Sequence, residues 1–131
     1  MKQRIKIVPI DLYKRGVCVF VGTREQFRSY AERENLEIDW DNYKDIEEMA
    51  AAFTVRFQLD SMIVCTRKPE ESVIVHEIVH AAKHILRIVD VDDEEAEAYL
   101  VEYLYDQIIP WLRTTFSSSL SIEQEQNRQP L

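Results

Sequence analysis

The residues best suited to chemistry form the stretch HEIVH at residues 76–80, an H-E-x-x-H pattern. In a helix, residues four apart lie one turn apart on the same face, so both imidazoles can bind one zinc ion. Glu77 lies beside that face, where its carboxylate can take a proton from a metal-activated water without binding the metal itself. The pattern therefore predicts a zinc site with His76 and His80 as ligands and Glu77 as general base.

A third protein ligand is expected, because catalytic zinc sites normally combine three protein ligands with a water. The remaining histidine, His84, is a further turn along the same helix, too far from His76 to share the ion, and is expected at the rim or behind the ligands. The longer pattern H-E-x-x-H-x-x-G-x-x-H fails, because Lys83 replaces its glycine and Leu86 its last histidine. These observations favour a carboxylate as the third ligand.

The candidate carboxylates follow an acidic loop and begin the next predicted helix. Glu95 is the favoured ligand, which would give a His₂Glu site, and Glu94 is the alternative. Glu97 is expected to point away. Asp92 and Glu95 also fit a capping box, in which the Glu95 side chain would only accept a hydrogen bond from a backbone N–H.

The sequence before the motif predicts strands and one or two helices. RIKIVPIDLY and GVCVFVG predict a hairpin, and AFTVRFQ and SMIVCT predict a second pair of strands. The capping box T-R-E-Q at Thr23 predicts a helix that runs to about Asn35. Apolar residues at helical spacing favour a further short helix within residues 42–52.

The motif and the sequence after it have the period of helices. EESVIVHEIVHAAKHILRIV predicts a long buried helix, and EEAEAYLVEYLYDQII predicts another that ends at Pro110. We predict one α+β domain over residues 1–116, in which a sheet of three to four strands in mixed directions packs on these two helices. Residues 117–131 have the polar composition of a disordered tail.

Composition excludes several classes of protein. The 131 residues include 16 Lys+Arg against 24 Asp+Glu, a net charge of -8, so the basic surface required for nucleic-acid binding is missing. The longest apolar stretches are far short of the ~20 residues that span a bilayer, and the N-terminus is unlike a secretory signal. Cys18 and Cys65 lie in apolar runs and are expected to be reduced core residues. We therefore expect a cytoplasmic protein without nucleic-acid or membrane partners.

HEIVHAAKHIL followed by DDEEAEAYLVEYL resembles the minimal zincin metallopeptidases of the gluzincin type, especially small H-E-x-x-H proteins encoded in bacteriophage and prophage genomes. Those proteins pair the motif helix with a helix that starts on Glu-Ala-x-x-Tyr or Phe, a pattern that falls here on Glu95, Ala96 and Tyr99. The resemblance covers about residues 53–109. It implies a zincin-like fold, a bacterial or phage-infected host cell, and one zinc per chain, held by His76, His80 and Glu95.

The resemblance also implies zinc-dependent hydrolysis of peptide bonds in a peptide or protein substrate, with Glu77 as general base. One element is unmatched, because Tyr99 stands where the thermolysin-like subgroup has an acidic residue. An oxyanion stabiliser would have to be an arginine such as Arg67 or a tyrosine among Tyr99, Tyr103 and Tyr105. In that layout the strand that ends at residues 65 and 66 would be the edge to which an extended peptide adds.

Two other hypotheses remain open from the sequence. A chain of 131 residues has little material for a second lobe around a substrate cleft, which favours a zinc-binding, non-catalytic zincin-like protein that acts in phage assembly or host interaction. In the other hypothesis the domain is metal-free and its histidines belong to the core. The sequence does not fix the oligomeric state.

Overall fold

The computed structural model describes residues 2–41, 43, 50–57 and 59–127. Within these residues four strands and three helices form one mixed α+β domain, which confirms the predicted class at that level. Their order is β1 (Arg4–Ile10), β2 (Arg15–Val21), α1 (Arg24–Arg33), β3 (Ala52–Phe57), β4 (Asp60–Cys65), α2 (Glu71–Ile88) and α3 (Glu94–Asn127).

The four strands form one sheet in the order β1-β2-β4-β3. The β1–β2 and β3–β4 pairs are antiparallel hairpins, as predicted, and β2 pairs with β4 in parallel. The prediction that the strand ending at Cys65 is an edge is wrong. β4 is an interior strand, because β2 pairs with it on one side and β3 on the other, and β3 is the outer strand at this end of the sheet.

Each face of the sheet carries its own apolar cluster, because successive side chains of a strand point to opposite faces. In β4, Ile63 and Cys65 pack with the helices α2 and α3, whereas Met62 and Val64 pack on the α1 side. Cys18 belongs to the α1 side, so the two cysteines lie on opposite faces of the sheet, and both are free thiols.

The start of α1 agrees with its sequence signal. Thr23 accepts a hydrogen bond from the Gln26 backbone N–H, and the Gln26 side chain accepts one from the Thr23 backbone N–H. The helix ends at Arg33, and Asn35 has a φ of 54°, the left-handed conformation in which helices commonly end. The short helix predicted within residues 42–52 lies largely outside the described residues, and Ala52 begins β3.

The helix α2 follows the period of its sequence. Fully buried residues such as Ile74, Ile78 and Ile85 face the sheet, whereas the side that carries His76 and His80 is exposed. Burying an isoleucine side chain stabilises a fold by ~1.5–3 kcal/mol, so this apolar stripe fixes which side of α2 faces outward.

The helix α3 extends beyond the predicted boundary. It continues through Pro110 to Asn127, so the prediction that Pro110 ends it is wrong. Proline removes one backbone hydrogen bond, but buried side chains on both sides of it, among them Ile109 and Leu112, pack in the core and stabilise the helix here. The backbone is helical over residues 117–127, within the segment for which a disordered tail was predicted, and residues 128–131 lie outside the described part. No helix among the described residues contains an apolar stretch of the length that spans a bilayer.

Candidate functional site

The two motif histidines lie together on the exposed side of α2. The Nε2 atoms of His76 and His80 are 3.1 Å apart, and the ring centroids are 4.7 Å apart with an interplanar angle of 77°. Both residues are exposed. Because they are one turn apart in a helix held by its buried stripe, their ring nitrogens converge on one region of solvent. Such a pair can supply two of the donors that a zinc ion needs.

Glu77 has a different environment from its neighbour His76. It is only 9% exposed and points toward β3, where Thr54 Oγ1 donates a hydrogen bond of 2.5 Å to Glu77 Oε2. The same hydroxyl lies 3.3 Å from the main-chain oxygen of Glu77. A buried carboxylate requires hydrogen bonds to offset the loss of solvent, and Thr54 supplies one.

Thr54 is the residue of this site that the sequence analysis missed. In β3, Phe53 and Val55 pack on the α1 side, so Thr54 between them faces α2. The available signal was the alternation of side chains between the two faces of β3. It puts Thr54 on the opposite face from Phe53 and Val55, and a threonine that faces a buried helix needs a polar partner.

Cys65 lies on the same side of the sheet as Thr54, and the charge of Glu77 acts on its thiol. Burial, with a smaller contribution from the Glu77 charge, raises the pKa of the Cys65 thiol to about 12. The thiol is therefore protonated near neutral pH. Sulfur nucleophiles act as thiolates, so the protonated Cys65 thiol is poorly suited to nucleophilic attack.

The structure does not bring Glu95 to the two histidines. Over the described parts of the chain, no group of three or more His, Cys, Asp or Glu side chains is arranged to hold a metal ion. Glu95 is exposed in the first turn of α3. Its backbone N–H donates to Asp93 Oδ1 at 2.8 Å, and the N–H of Ala96 lies 3.4 Å from the same oxygen. The capping box of Asp92 with Glu95 is therefore wrong, because Asp93 caps the helix and Glu95 is the second helical residue.

Glu97 is the acidic residue of α3 whose side chain contacts α2. Its Oε1 lies 2.9 Å from the Nζ of Lys83, so the expectation that Glu97 points away is wrong. The loop of residues 89–93 is short, so α3 returns alongside α2 and its fourth residue faces the end of that helix. Glu94 shares with Lys83 and Glu97 the lining of an open depression between the two helices.

Two tyrosines suggested as oxyanion stabilisers lie on the side of α3 that faces β1. Tyr103 donates a hydrogen bond of 2.7 Å from its hydroxyl to the main-chain oxygen of Pro9. Tyr99 is 68% exposed and lines a groove with Leu12 and Leu100. Neither hydroxyl is held toward the histidine pair by a contact in the described structure, and the oxyanion role stays a prediction.

Tyr105 and Arg67 complete the set of oxyanion candidates. Tyr105 is half-buried and interacts with Arg113, and Arg67 is exposed in the segment between β4 and α2. Their roles also stay predictions.

His84 lies inside the protein and not at the rim of the histidine pair. It is 8% exposed, and its interactions are with Asp60 at the β3–β4 turn and with Arg56. Its Nε2 atom has no hydrogen-bond partner among the described residues. Burial lowers the pKa of His84, and the nearby charges of Arg56 and Arg87 lower it further, while Asp60 opposes the shift. His84 is therefore a buried, neutral histidine.

The lowered pKa of His84 predicts that acid weakens the fold. The pKa of this group in the unfolded chain is near the ordinary value of 6.5, and in the folded chain it is lower. As the pH falls through 6.5, the unfolded chain takes up the proton first, so its stability relative to the folded state rises. We expect the melting temperature to fall between pH 7.5 and 5.5, and to fall less in His84→Leu. Equal slopes in the two proteins would contradict the assignment.

Comparisons of the chain with protein-family models, with curated proteins and with solved structures found no match. What this protein does must therefore be inferred from its own side chains.

Proposed function

We propose that this chain is a zinc-dependent metallopeptidase with a zincin-like fold. One observation carries the proposal: the Nε2 atoms of His76 and His80 lie 3.1 Å apart on an exposed helix face, and Glu77, the residue after His76, has a buried carboxylate that accepts a hydrogen bond. Two solvent-facing donors next to a buried, hydrogen-bonded acid form the combination that metal-assisted hydrolysis needs.

The chemistry of the donors fits zinc. Imidazole nitrogen and carboxylate oxygen are both common zinc ligands, and two histidines with one glutamate form a known catalytic set. His76 and His80 would hold the ion, and Glu95 would supply the third donor from the first turn of α3. When bound, zinc would activate a water for attack on a carbonyl carbon. The structure has two of these donors together, so the proposal requires Glu95 to join them.

Glu77 is the proposed proton carrier. Its carboxylate takes the proton that water loses on attacking the peptide carbonyl and gives it to the departing amide nitrogen. The C–N bond breaks, and the products are a carboxylic acid and an amine, which become a carboxylate and an ammonium group when the acid's proton passes to the amine. Glu77 directly follows His76 in α2, so its side chain points to a neighbouring side of the helix and would stay outside the proposed ligand set.

The outer strand β3 is the proposed position of the substrate chain. Among the described residues it pairs with β4 alone, and Thr54 in its middle contacts Glu77 directly. An extended peptide could add to its free edge by main-chain hydrogen bonds, as edge strands often allow. This assignment replaces the interior strand β4 as the candidate edge.

The proposal is tested by the zinc content of the freshly purified protein, measured by elemental mass spectrometry. We expect about one zinc per chain in the parent and a large loss in Glu95→Ala, because removing one of three protein ligands leaves an incomplete set. Glu97→Ala is the matched control, since Glu97 is an acid in the same turn that already has Lys83 as its partner.

The outcomes of this measurement differ clearly. Zinc lost in Glu97→Ala but retained in Glu95→Ala would move the third ligand to Glu97. A parent that binds no zinc, even after incubation with the ion, would remove the metallopeptidase proposal.

One observation favours a second candidate, a zinc-binding protein without turnover. Because the described residues contain no group of three metal donors, His76 and His80 could instead hold zinc together with ligands from a partner protein. A zincin-like protein in phage assembly or host interaction would fit this reading. The Glu77→Gln variant separates it from the enzyme.

A further inference from the structure

We propose that Thr54 is a positioning residue that holds the carboxylate of Glu77 in the orientation needed for proton transfer. The inference rests on the proposed function, because it gives Thr54 a part in arranging the general base. Thr54 lies in the middle of β3, on the sheet face toward α2, and it reaches Glu77 across 23 positions of sequence. The contact therefore joins the outer strand of the sheet to the motif helix.

The distances show which oxygen of Glu77 receives the hydrogen bond. A threonine hydroxyl has one proton to donate. Its oxygen is 2.5 Å from Glu77 Oε2 and 3.3 Å from the main-chain oxygen of Glu77. The hydroxyl therefore donates its hydrogen bond to the carboxylate. Hydrogen bonds to a charged acceptor are stronger than those between neutral groups. With Oε2 occupied, the carboxylate is fixed in rotation and Oε1 is left as the oxygen that exchanges protons with water and substrate.

A purely structural role for Thr54 makes a different prediction. If the hydroxyl only satisfies a buried carboxylate, its removal lowers stability and reduces the amount of folded enzyme, without a specific loss in the chemical step. If it positions Glu77, its removal lowers kcat while KM and zinc content stay the same. A misoriented base slows proton transfer in the transition state but does not change the binding of substrate or zinc.

Valine and serine are suitable replacements because each changes one property of the side chain. Valine keeps the branched shape of threonine and its fit to a strand but cannot donate a hydrogen bond. Serine keeps the hydroxyl and loses a methyl group. Thr114, an exposed threonine in α3, provides the matched control for a threonine-to-valine change away from the site.

The first experiment measures kcat and KM for the zinc-loaded parent, Thr54→Val, Thr54→Ser and Thr114→Val. The substrate is the peptide that the parent cleaves fastest in a mixture of quenched-fluorescence peptides. We expect Thr54→Val to lose ~10- to 100-fold in kcat, the effect of one hydrogen bond to a charged group, with KM and zinc content unchanged. Thr54→Ser should restore most of kcat, and Thr114→Val should match the parent. An unchanged kcat in Thr54→Val would overturn the inference.

The second experiment needs no activity. The melting temperatures of the metal-stripped parent, Thr54→Val, Glu77→Leu and the double variant form a cycle that reports the coupling of the two side chains. We expect the double variant to lose less than the sum of the single losses, and additive losses would overturn the contact. A parent that neither binds zinc nor cleaves any peptide removes the proposed function and this role together. An active parent with a normal Thr54→Val variant removes this role alone.

Discussion

Replacing Glu77 with glutamine is expected to reduce peptide hydrolysis by ~100- to 10,000-fold, the usual contribution of a general base, while zinc remains bound. Glutamine has nearly the shape of glutamate and can still accept the hydrogen bond from Thr54, so the fold and the histidine pair should be preserved. It cannot take up a proton from water. The measurement is the rate of cleavage of quenched-fluorescence peptides together with the zinc content of the same sample.

The same variant separates the enzyme from the non-catalytic zinc protein. In the enzyme, Glu77→Gln binds zinc and does not turn over, which also makes it suitable for trapping a substrate from cell extract. In the binder, the parent cleaves no peptide, and the variant keeps both zinc and every partner that the parent binds. A parent that cleaves peptides and a variant that keeps more than about a tenth of that rate, an effect below the usual range for a general base, would exclude Glu77 as the base.

Removing either motif histidine is expected to abolish zinc binding at micromolar concentrations of the ion. Loss of a group that merely orients a ligand typically weakens metal affinity by about 10- to 100-fold, and loss of a direct ligand should cost more. The affinities of His76→Ala and His80→Ala are measured by competition with a zinc-sensitive dye. Both side chains are exposed, so neither change should lower the melting temperature of the metal-free protein much.

Ser72→Ala is the control for the histidine variants, because Ser72 is exposed one turn before His76 in the same helix. It should bind zinc as the parent does. If His76→Ala and His80→Ala also bind zinc like the parent, the closeness of the two rings is incidental and the metal lies elsewhere.

The local features of this protein could be predicted from its sequence because their causes are local. The capping box at Thr23, the two hairpins and the helix around the H-E-x-x-H pattern all follow from signals within a few residues of each element. The approach of His76 to His80 follows from helix geometry alone.

The features that the sequence analysis missed depend on contacts between distant residues. The parallel pairing of β2 with β4 makes β4 an interior strand. Nothing in the sequence of either strand indicates that it pairs with a strand 44 positions away. The same holds for Thr54, whose contact with Glu77 depends on which helix covers β3. The pairing of Lys83 with Glu97 depends on how α3 turns after its loop. Pro110 stays within a helix because of buried neighbours, which a local rule for proline ignores.

The sheet order also makes β1 an outer strand, which bears on the tendency of this protein to aggregate. Ile7 of β1 is 69% exposed and Ile5 is 36% exposed. An outer strand with exposed isoleucines can pair with a strand of another molecule and so start aggregation. Pro9 removes one N–H from that edge, and the charges of Arg4 and Lys6 alternate with the isoleucines. The proline and the two cations thus discourage strand-to-strand pairing between molecules at this outer edge.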